Sequence, residues 1–354
     1  MASMSKTKTG SYRVQWYEGK KKCQRTFAKR DEAKTFAAEL ELAPETRRSK
    51  ILVRELLRQY RETETPKKGG AREESLRIGR LMKRPLASLT VSQISTRDID
   101  QYIRTRSEEP SKKHPKQKVS SSTVKKEVMT LSAIFTDAVK KGLMEVNPCK
   151  EAGKIEPKDA RERTASPQDI ERLMIASGWD GVSVPASETE LVVLAFVFAC
   201  QTGMRSGEIL EMEEAWISDR VVHLPEDATK TRKARNVALS SEALRLLNLA
   251  RQRGSSPRIF GELTDWSRDV LFRKIRDRAG LNDVCDSKGR VIQQGLTFHD
   301  SRATFATWAA SPDPKTGAPR LDVMALARQT GHKNLKMLMR YYRPSAEDVA
   351  KRLG

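Results

Sequence analysis

The chain has 354 residues, enough for roughly two or three domains, at least one with a sizeable core. Lysine and arginine number 67 against 46 aspartates and glutamates, a net charge of +21 that points to a polyanionic partner, nucleic acid being the commonest. The four cysteines (Cys23, Cys149, Cys200, Cys285) are far apart and show no CxxC spacing, which argues against a disulfide framework or a zinc site and fits a reducing cytoplasm. Residues 1–10 have no apolar h-region, so no signal peptide is expected. The longest apolar run, residues 191–200, is too short to span a bilayer.

Residues 11–43 read as a small module. Tyr12, Val14 and Trp16 alternate with Arg13, Gln15 and Tyr17 at strand period, Glu18-Gly19-Lys20 supplies a turn, and residues 23–27 return. Asp31 then opens a helix with Ala33, Phe36, Ala37 and Leu40 on one face. Aromatics interleaved with Lys20, Lys21, Lys22, Arg25, Lys29 and Arg30 suit a sheet laid against DNA, although a β-β-α adaptor with a solvated basic face has the same pattern.

Residues 49–155 read as all-helical. Leu52, Leu56 and Tyr60 share a face in the first helix, and a break follows at residues 66–70. Ser95 caps the next helix with Asp98 three residues on, a variant of the capping box. Residues 112–122 form a lysine-rich loop. The clearest helix carries Val124, Val128, Leu131, Phe135 and Ala138 at steps of three and four and stops at Lys140-Lys141-Gly142. Residues 151–164 are charged, carry Pro157 and read as a linker; Ser166-Pro167 then starts a new helix, with serine as N-cap and proline at the first helical position. The apolar run at 191–200 is a buried helix.

Four pieces of the C-terminal half carry candidate chemistry. After the apolar helix, Thr202-Gly203-Met204-Arg205-Ser206-Gly207-Glu208 puts Arg205 at a helix start with Glu208 in reach to fix its fork. Residues 221–224 and 237–239 read as a β-hairpin with Lys230 near its tip, where an ammonium can protonate a leaving oxygen. His299 and Arg302 stand three apart, so that one helical face can present both. Near the end, His332 precedes Tyr341 by nine residues, and Tyr341 and Tyr342 are the only tyrosines after Tyr102. Taken singly, each piece also fits an ordinary structural role: an ion pair, a solvated turn lysine, a capped helix, a core aromatic. Together, two arginines can bind one phosphate bidentately and stabilise a pentacoordinate transition state without a metal. No carboxylate cluster of metal-ligand type accompanies them and no GxxxxGK[ST] loop exists, so ATP use and metal-assisted hydrolysis are disfavoured.

In this order, Arg205, Lys230, His299-x-x-Arg302, Gly331-His332 and Tyr341 resemble the catalytic set of the tyrosine recombinase (phage integrase) family. The likeness covers roughly residues 160–354, and the two upstream modules resemble that family's arm-binding and core-binding domains. It implies a mainly α chain with small β-sheets (α+β), divided into an N-terminal β-β-(β)-α arm-type module (1–46), a helical, SAM-like core-binding domain (47–156) and a mixed α/β catalytic domain (157–354). It further implies a site-specific DNA recombinase that cuts and rejoins double-stranded DNA through a 3′-phosphotyrosine and a Holliday junction, to integrate, excise or invert a mobile element. Tyr341 would be the nucleophile, placed by the family's nine-residue spacing from the second histidine, with Tyr342 as the alternative. Arg205, Arg302 and His332 would hold the phosphate, Lys230 would protonate the leaving oxygen, and His299 would assist proton traffic. No metal and no nucleotide cofactor are implied. Four protomers on two sites are, with accessory DNA-bending proteins as further partners and a bacterial or phage cytoplasm, at the nucleoid, as the location.

Two departures accompany the likeness: Ser301 and Ala303 stand where the family usually has leucine and histidine, and residues 311–320 lengthen the connection from Arg302 to His332. The rival reading is a DNA-binding regulator that keeps the scaffold without the chemistry, against which the full set of side chains argues. A relaxing topoisomerase is disfavoured by the N-terminal module, which implies long, multi-part recognition sites.

Overall fold

The computed structural model describes residues 3–7, 10–18, 21–37, 51–111, 115–156, 163–229, 232–254, 256–261, 263–287 and 291–342. The chain divides into two compact units, Met1–Ala160 and Arg161–Gly354. Among the described residues, no helix is long and apolar enough to cross a membrane.

In the N-terminal module, β2 (Tyr12–Glu18) and β3 (Lys21–Phe27) form the expected antiparallel hairpin, with Tyr12 opposite Phe27 and Trp16 opposite Cys23. Residues 30–37 are helical (α1). Val14 and Ala33 are fully buried, and Phe36 meets the Trp16 ring edge-on at 5.4 Å between centroids. The turn at Gly19-Lys20 and Leu40 lie outside the described residues. A further strand precedes these: β1 (Ser3–Lys6) pairs with β2 to give the order β1-β2-β3. All four of its side chains are exposed, so its sequence carries no apolar alternation from which to read a strand.

The helical part of the first unit contains α2 (Val53–Thr63), α3 (Ala71–Leu81), α4 (Thr96–Glu108) and α5 (Ser121–Lys140). The face that α2 buries is Val53, Leu56, Leu57 and Tyr60; Leu52 precedes the helix as its N-cap and is largely exposed. Ser95 and Asp98 form the expected capping box. Helix α5 begins at Ser121, with the Ser120 hydroxyl accepting from the Thr123 N–H, so it takes in the last two residues of the predicted loop; Lys112 lies outside the described residues. Val124, Leu131, Phe135 and Ala138 are buried as their spacing requires.

A charged residue sits among them. Glu127 is 1% exposed and accepts from the Tyr102 hydroxyl at 2.7 Å and from Arg106 Nε and Nη2 at 2.9 and 3.1 Å. Burial, reinforced by the Glu127 charge, pushes the Tyr102 phenol far up. Removing only the carboxylate leaves the Tyr102 hydroxyl without its acceptor and Arg106 with Glu109 alone, so Glu127→Ala is expected to cost about 1–3 kcal/mol, read as a fall in the urea midpoint of the full chain. An unchanged midpoint would show that the network carries no net stability.

The second unit is built around α7 (Glu188–Thr202), a helix apolar on all sides and buried from Leu191 to Cys200. Against it pack α6 (Pro167–Ser177), α9 (Ser241–Arg253), α10 (Asp265–Arg278) and α11 (Asp300–Ala310). Ser166 caps α6 with Pro167 in its first turn, as predicted. A three-stranded sheet of order β4-β5-β6 joins Ile217–Ser218, Val221–Leu224 and Arg235–Ala238. β4 extends the predicted hairpin by one short strand. A second hairpin, β7 (Val284–Cys285) and β8 (Val291–Gln293), precedes α11, while α8 (Ser206–Leu210), α12 (Val323–Thr330) and α13 (Lys336–Met339) complete the unit.

Candidate active site

Four chain segments supply the site, and glycines bring two of them together. Helix α7 ends at Gly203 in the left-handed region (φ 66°), and a Cβ there would stand 2.4 Å from the Phe305 ring of α11. Only glycine lets the two helices meet this closely. Helix α12 ends likewise at Gly331 (φ 68°), where a Cβ would approach the Arg235 side chain to 3.0 Å.

Arg205 follows the first of these turns as the N-cap of α8. Its backbone N–H donates to Glu208 Oε2 at 2.7 Å, its Nη1 to Glu208 Oε1 at 2.9 Å, and its Nη2 to the Gly331 carbonyl at 3.2 Å. Glu208 thus fixes the fork, as its spacing predicts. It also takes a bidentate pair from Arg235 at the start of β6, both bonds 2.7 Å. Burial opposes ionisation of Glu208, yet the Arg235 and Arg205 pairs win and hold its carboxyl below the usual range.

Arg302, on the first turn of α11, is 5% exposed. Its Nη1 donates to the Gly203 carbonyl at 2.6 Å and its Nη2 to the Thr330 carbonyl, which tie it to the ends of α7 and α12. Burial, then the Arg205 charge, push its guanidinium down to about 9, with the Glu208 charge pulling the other way. It stays cationic at neutral pH. His299, one turn earlier, is the exposed N-cap residue of α11. Phe298 anchors this segment by packing against Phe196 and Phe272 with centroids 5.6 and 5.5 Å apart.

His332 is brought to Arg302 across 30 residues of sequence, Nδ1 lying 3.3 Å from Arg302 Nη2. The intervening segment is compact. Pro312 and Pro319 bridge, the Asp313 N–H donates to the Ala318 carbonyl at 2.7 Å, and the Arg320 guanidinium bonds Ser311 Oγ at 2.7 Å while stacking over Trp308. The extra residues close on themselves and leave the Arg302–His332 approach intact. The Thr330 hydroxyl donates to the Leu326 carbonyl at 2.6 Å, so at 2.7 Å its oxygen accepts from His332 Nδ1–H. Burial, followed by the charges of Arg302, Arg205, Arg235 and His299, lowers His332 to about 4, so the imidazole is neutral at pH 7.

This shift has a consequence for stability. The unfolded imidazole binds a proton near pH 6.5 and the folded one only near pH 4, so between these values the unfolded state holds more protons. The contribution is complete above pH 6.5 and is lost as pH falls toward 4. Solvent screening at the half-buried ring keeps it to about 1 kcal/mol. Melting curves at pH 7.5 and 5 are expected to show a smaller acid loss for His332→Gln than for the parent chain. Equal losses would assign the acid sensitivity to other groups.

Tyr341 and Tyr342 differ in what their hydroxyls do. Tyr342 donates its O–H to the Leu321 carbonyl, and burial, aided by the nearby Asp322 charge, pushes its phenol up to about 12. Tyr341 is half-buried against the small cluster of Phe305, Ala306, Leu326 and Leu338, with the Arg340 guanidinium 5.3 Å from its ring centre and Arg302 within electrostatic reach. Lys230 lies outside the described residues. The structure therefore brings Arg205, Arg302, His332 and Tyr341 around one locus, with His299 at its exposed edge.

Sequence reasoning missed Arg235 and Gln329. The Gln329 amide spans the open edge of β6, accepting from the Ala238 N–H at 3.0 Å and donating to its carbonyl at 2.9 Å, while reaching the Thr202 carbonyl at 3.1 Å. The only available signal was the count of cations around a carboxylate that turns out to be buried, and burial is not written locally.

The family model described as the phage integrase family matches residues 164–348. Over 303 residues the chain is 30% identical to an integrase/recombinase of Haemophilus influenzae, covering 83% of this chain and 73% of that one. It is 28% identical over 302 residues to a shufflon-specific DNA recombinase of Escherichia coli, covering 84% and 70%. Among solved structures it is similar to a lambda integrase dimer bound to a core site, at a TM-score of 0.64 and 17% identity over 96% of this chain and 94% of that one. It is also similar to a lambda integrase tetramer bound to a Holliday junction, at a TM-score of 0.60 and 18% identity over 94% and 95%.

Proposed function

As a member of the phage integrase family this chain is a site-specific DNA recombinase, and we propose that Tyr341 is its nucleophile. The Tyr341 phenol gives up its proton through His299 as its oxygen attacks a scissile phosphate and forms a 3′-phosphotyrosine, while the displaced 5′-oxygen takes a proton from Lys230 and leaves as a hydroxyl. Arg205 and Arg302 bind the non-bridging oxygens, where charge grows as the phosphorus becomes pentacoordinate. His332 enters as a neutral ring. Its Nε2 takes up a proton as the phosphate charge offsets the arginines, and then donates to the same group. His299, at the exposed edge, moves protons to or from solvent. The freed 5′-hydroxyl attacks the partner strand's phosphotyrosine, so the bond energy is retained and neither metal nor nucleotide is needed.

The observation that carries this reading is the shared anchoring of Arg205 and Arg302. Each donates to the turn at 330–331 and each is tied to the end of α7, Arg205 by sequence and Arg302 through the Gly203 carbonyl. Two guanidiniums held this way aim at one anion. We further assign residues 1–46 to arm-type DNA contacts, residues 47–156 to the core site and residues 157–354 to the chemistry, with four protomers acting on two sites.

The test is capture of denaturant-resistant protein–DNA adducts from cells making the chain, with sequencing of the attached DNA. Linkage through a 3′-phosphate at one recurrent sequence, formed equally in purified protein with EDTA present, is expected. DNA binding that is salt-sensitive but never covalent would overturn the reading in favour of a non-catalytic DNA-binding protein.

A further inference from the structure

Arg235 belongs to none of the groups proposed to touch the phosphate, yet its ties run to two of the elements that carry them. It sits at the start of β6, five residues after Lys230 in sequence. Its guanidinium is 11% exposed and is spent on Glu208, with Nε 3.5 Å from the Gln329 carbonyl of α12. Three of its five N–H groups are engaged in this way. Resting on the function proposed above, we infer that Arg235 is a positioning residue for Arg205, acting through the carboxylate that the two share.

Each oxygen of Glu208 accepts from both arginines, so the carboxylate is a fixed plate between two forks. Arg205 uses one N–H on Glu208 and one on the Gly331 carbonyl, which leaves three for an anion, and its charge acts on both Arg302 and His332. Without Arg235, the buried carboxylate keeps a single partner and half its lone pairs open. The Arg205 fork can then close over it bidentately and turn away from the phosphate. Charge points the same way. Three guanidiniums against one carboxylate leave two net positive charges, which matches a pentacoordinate phosphorane dianion better than the singly charged ground state. Arg235 therefore acts on transition-state binding while touching no substrate atom.

The test uses the DNA site recovered by adduct capture, resynthesised with three scissile linkages. One is the natural phosphodiester, one a methylphosphonate in which a methyl replaces a non-bridging oxygen, and one a 5′-phosphorothiolate whose leaving thiolate needs no proton. Arg235→Gln is expected to slow covalent attachment to the phosphodiester by about 30- to 100-fold, the size of losing one aimed donor. On at least one methylphosphonate stereoisomer, the same variant is expected to fall within about threefold of the parent, because the oxygen that Arg205 serves is gone. Arg235→Lys, which keeps the charge but only part of the bidentate grip, is expected to lie between. Equal loss on all three linkages would make Arg235 a merely structural residue and overturn the inference. Rescue on the phosphorothiolate alone would overturn it too, by routing its effect through Lys230. No adduct from the parent chain on the phosphodiester would remove the functional reading itself, and this inference with it.

Discussion

Tyr341→Phe is expected to abolish covalent attachment to DNA, by on the order of 10⁴-fold or more, while leaving DNA affinity unchanged. The variant deletes one oxygen from a half-buried ring whose packing against Phe305, Leu326 and Leu338 is apolar, so the fold has little reason to respond. Tyr342→Phe is the informative partner. Its hydroxyl donates to the Leu321 carbonyl, and burial with the nearby Asp322 charge raises the phenol to about 12, which keeps its proton from any base at the site. Losing that bond costs about 0.5–1.5 kcal/mol, visible as a lower melting temperature, with attachment kept near the parent rate. The two variants thus separate chemistry from stability. Attachment that survives in Tyr341→Phe and vanishes in Tyr342→Phe would exchange the two roles.

This division between the tyrosines could not be read from sequence, where the two are neighbours and only spacing from His332 favours the first. What was legible were features with local physical causes. Ser166-Pro167 and the Ser95/Asp98 pair announce helix starts because capping is satisfied within four residues. The uninterrupted apolar run of α7 announces a buried helix because nothing polar could line its solvent face. The spacing of Arg205 to Glu208 gave their ion pair for the same reason.

What was hidden depended on distance or on the absence of pattern. β1 is four exposed residues that become a strand only because β2 offers an edge. Arg235 reaches Glu208 across 27 residues, and only the return of the β5–β6 hairpin decides that they meet. The segment at 311–320 read as a longer connection from Arg302 to His332, which left open whether the loop closes on itself. Whether it did so depended on Arg320 folding back on Ser311 and Trp308, a closure that composition does not encode.

Arg302 carries the second large effect, and two substitutions divide it. Its guanidinium donates to the carbonyls of Gly203 and Thr330, both at helix ends, and holds His332 beside it. Arg302→Ala leaves those carbonyls buried without their donor, at about 1–3 kcal/mol each, so it is expected to lower stability and cleavage together. Arg302→Lys keeps a cation in the cavity. A single ammonium, though, cannot span both carbonyls and still present a parallel pair of donors to a phosphate. Cleavage is therefore expected to fall by about 10²- to 10³-fold with the melting temperature lowered much less than in the alanine variant. Because His332 is held neutral partly by the Arg302 charge, the alanine variant should also let the imidazole titrate nearer its ordinary value, which an NMR titration of the His332 ring reads directly. A lysine variant that cleaves at the parent rate would mean that charge alone suffices, and that the forked geometry held between α7 and α12 is not what the reaction uses.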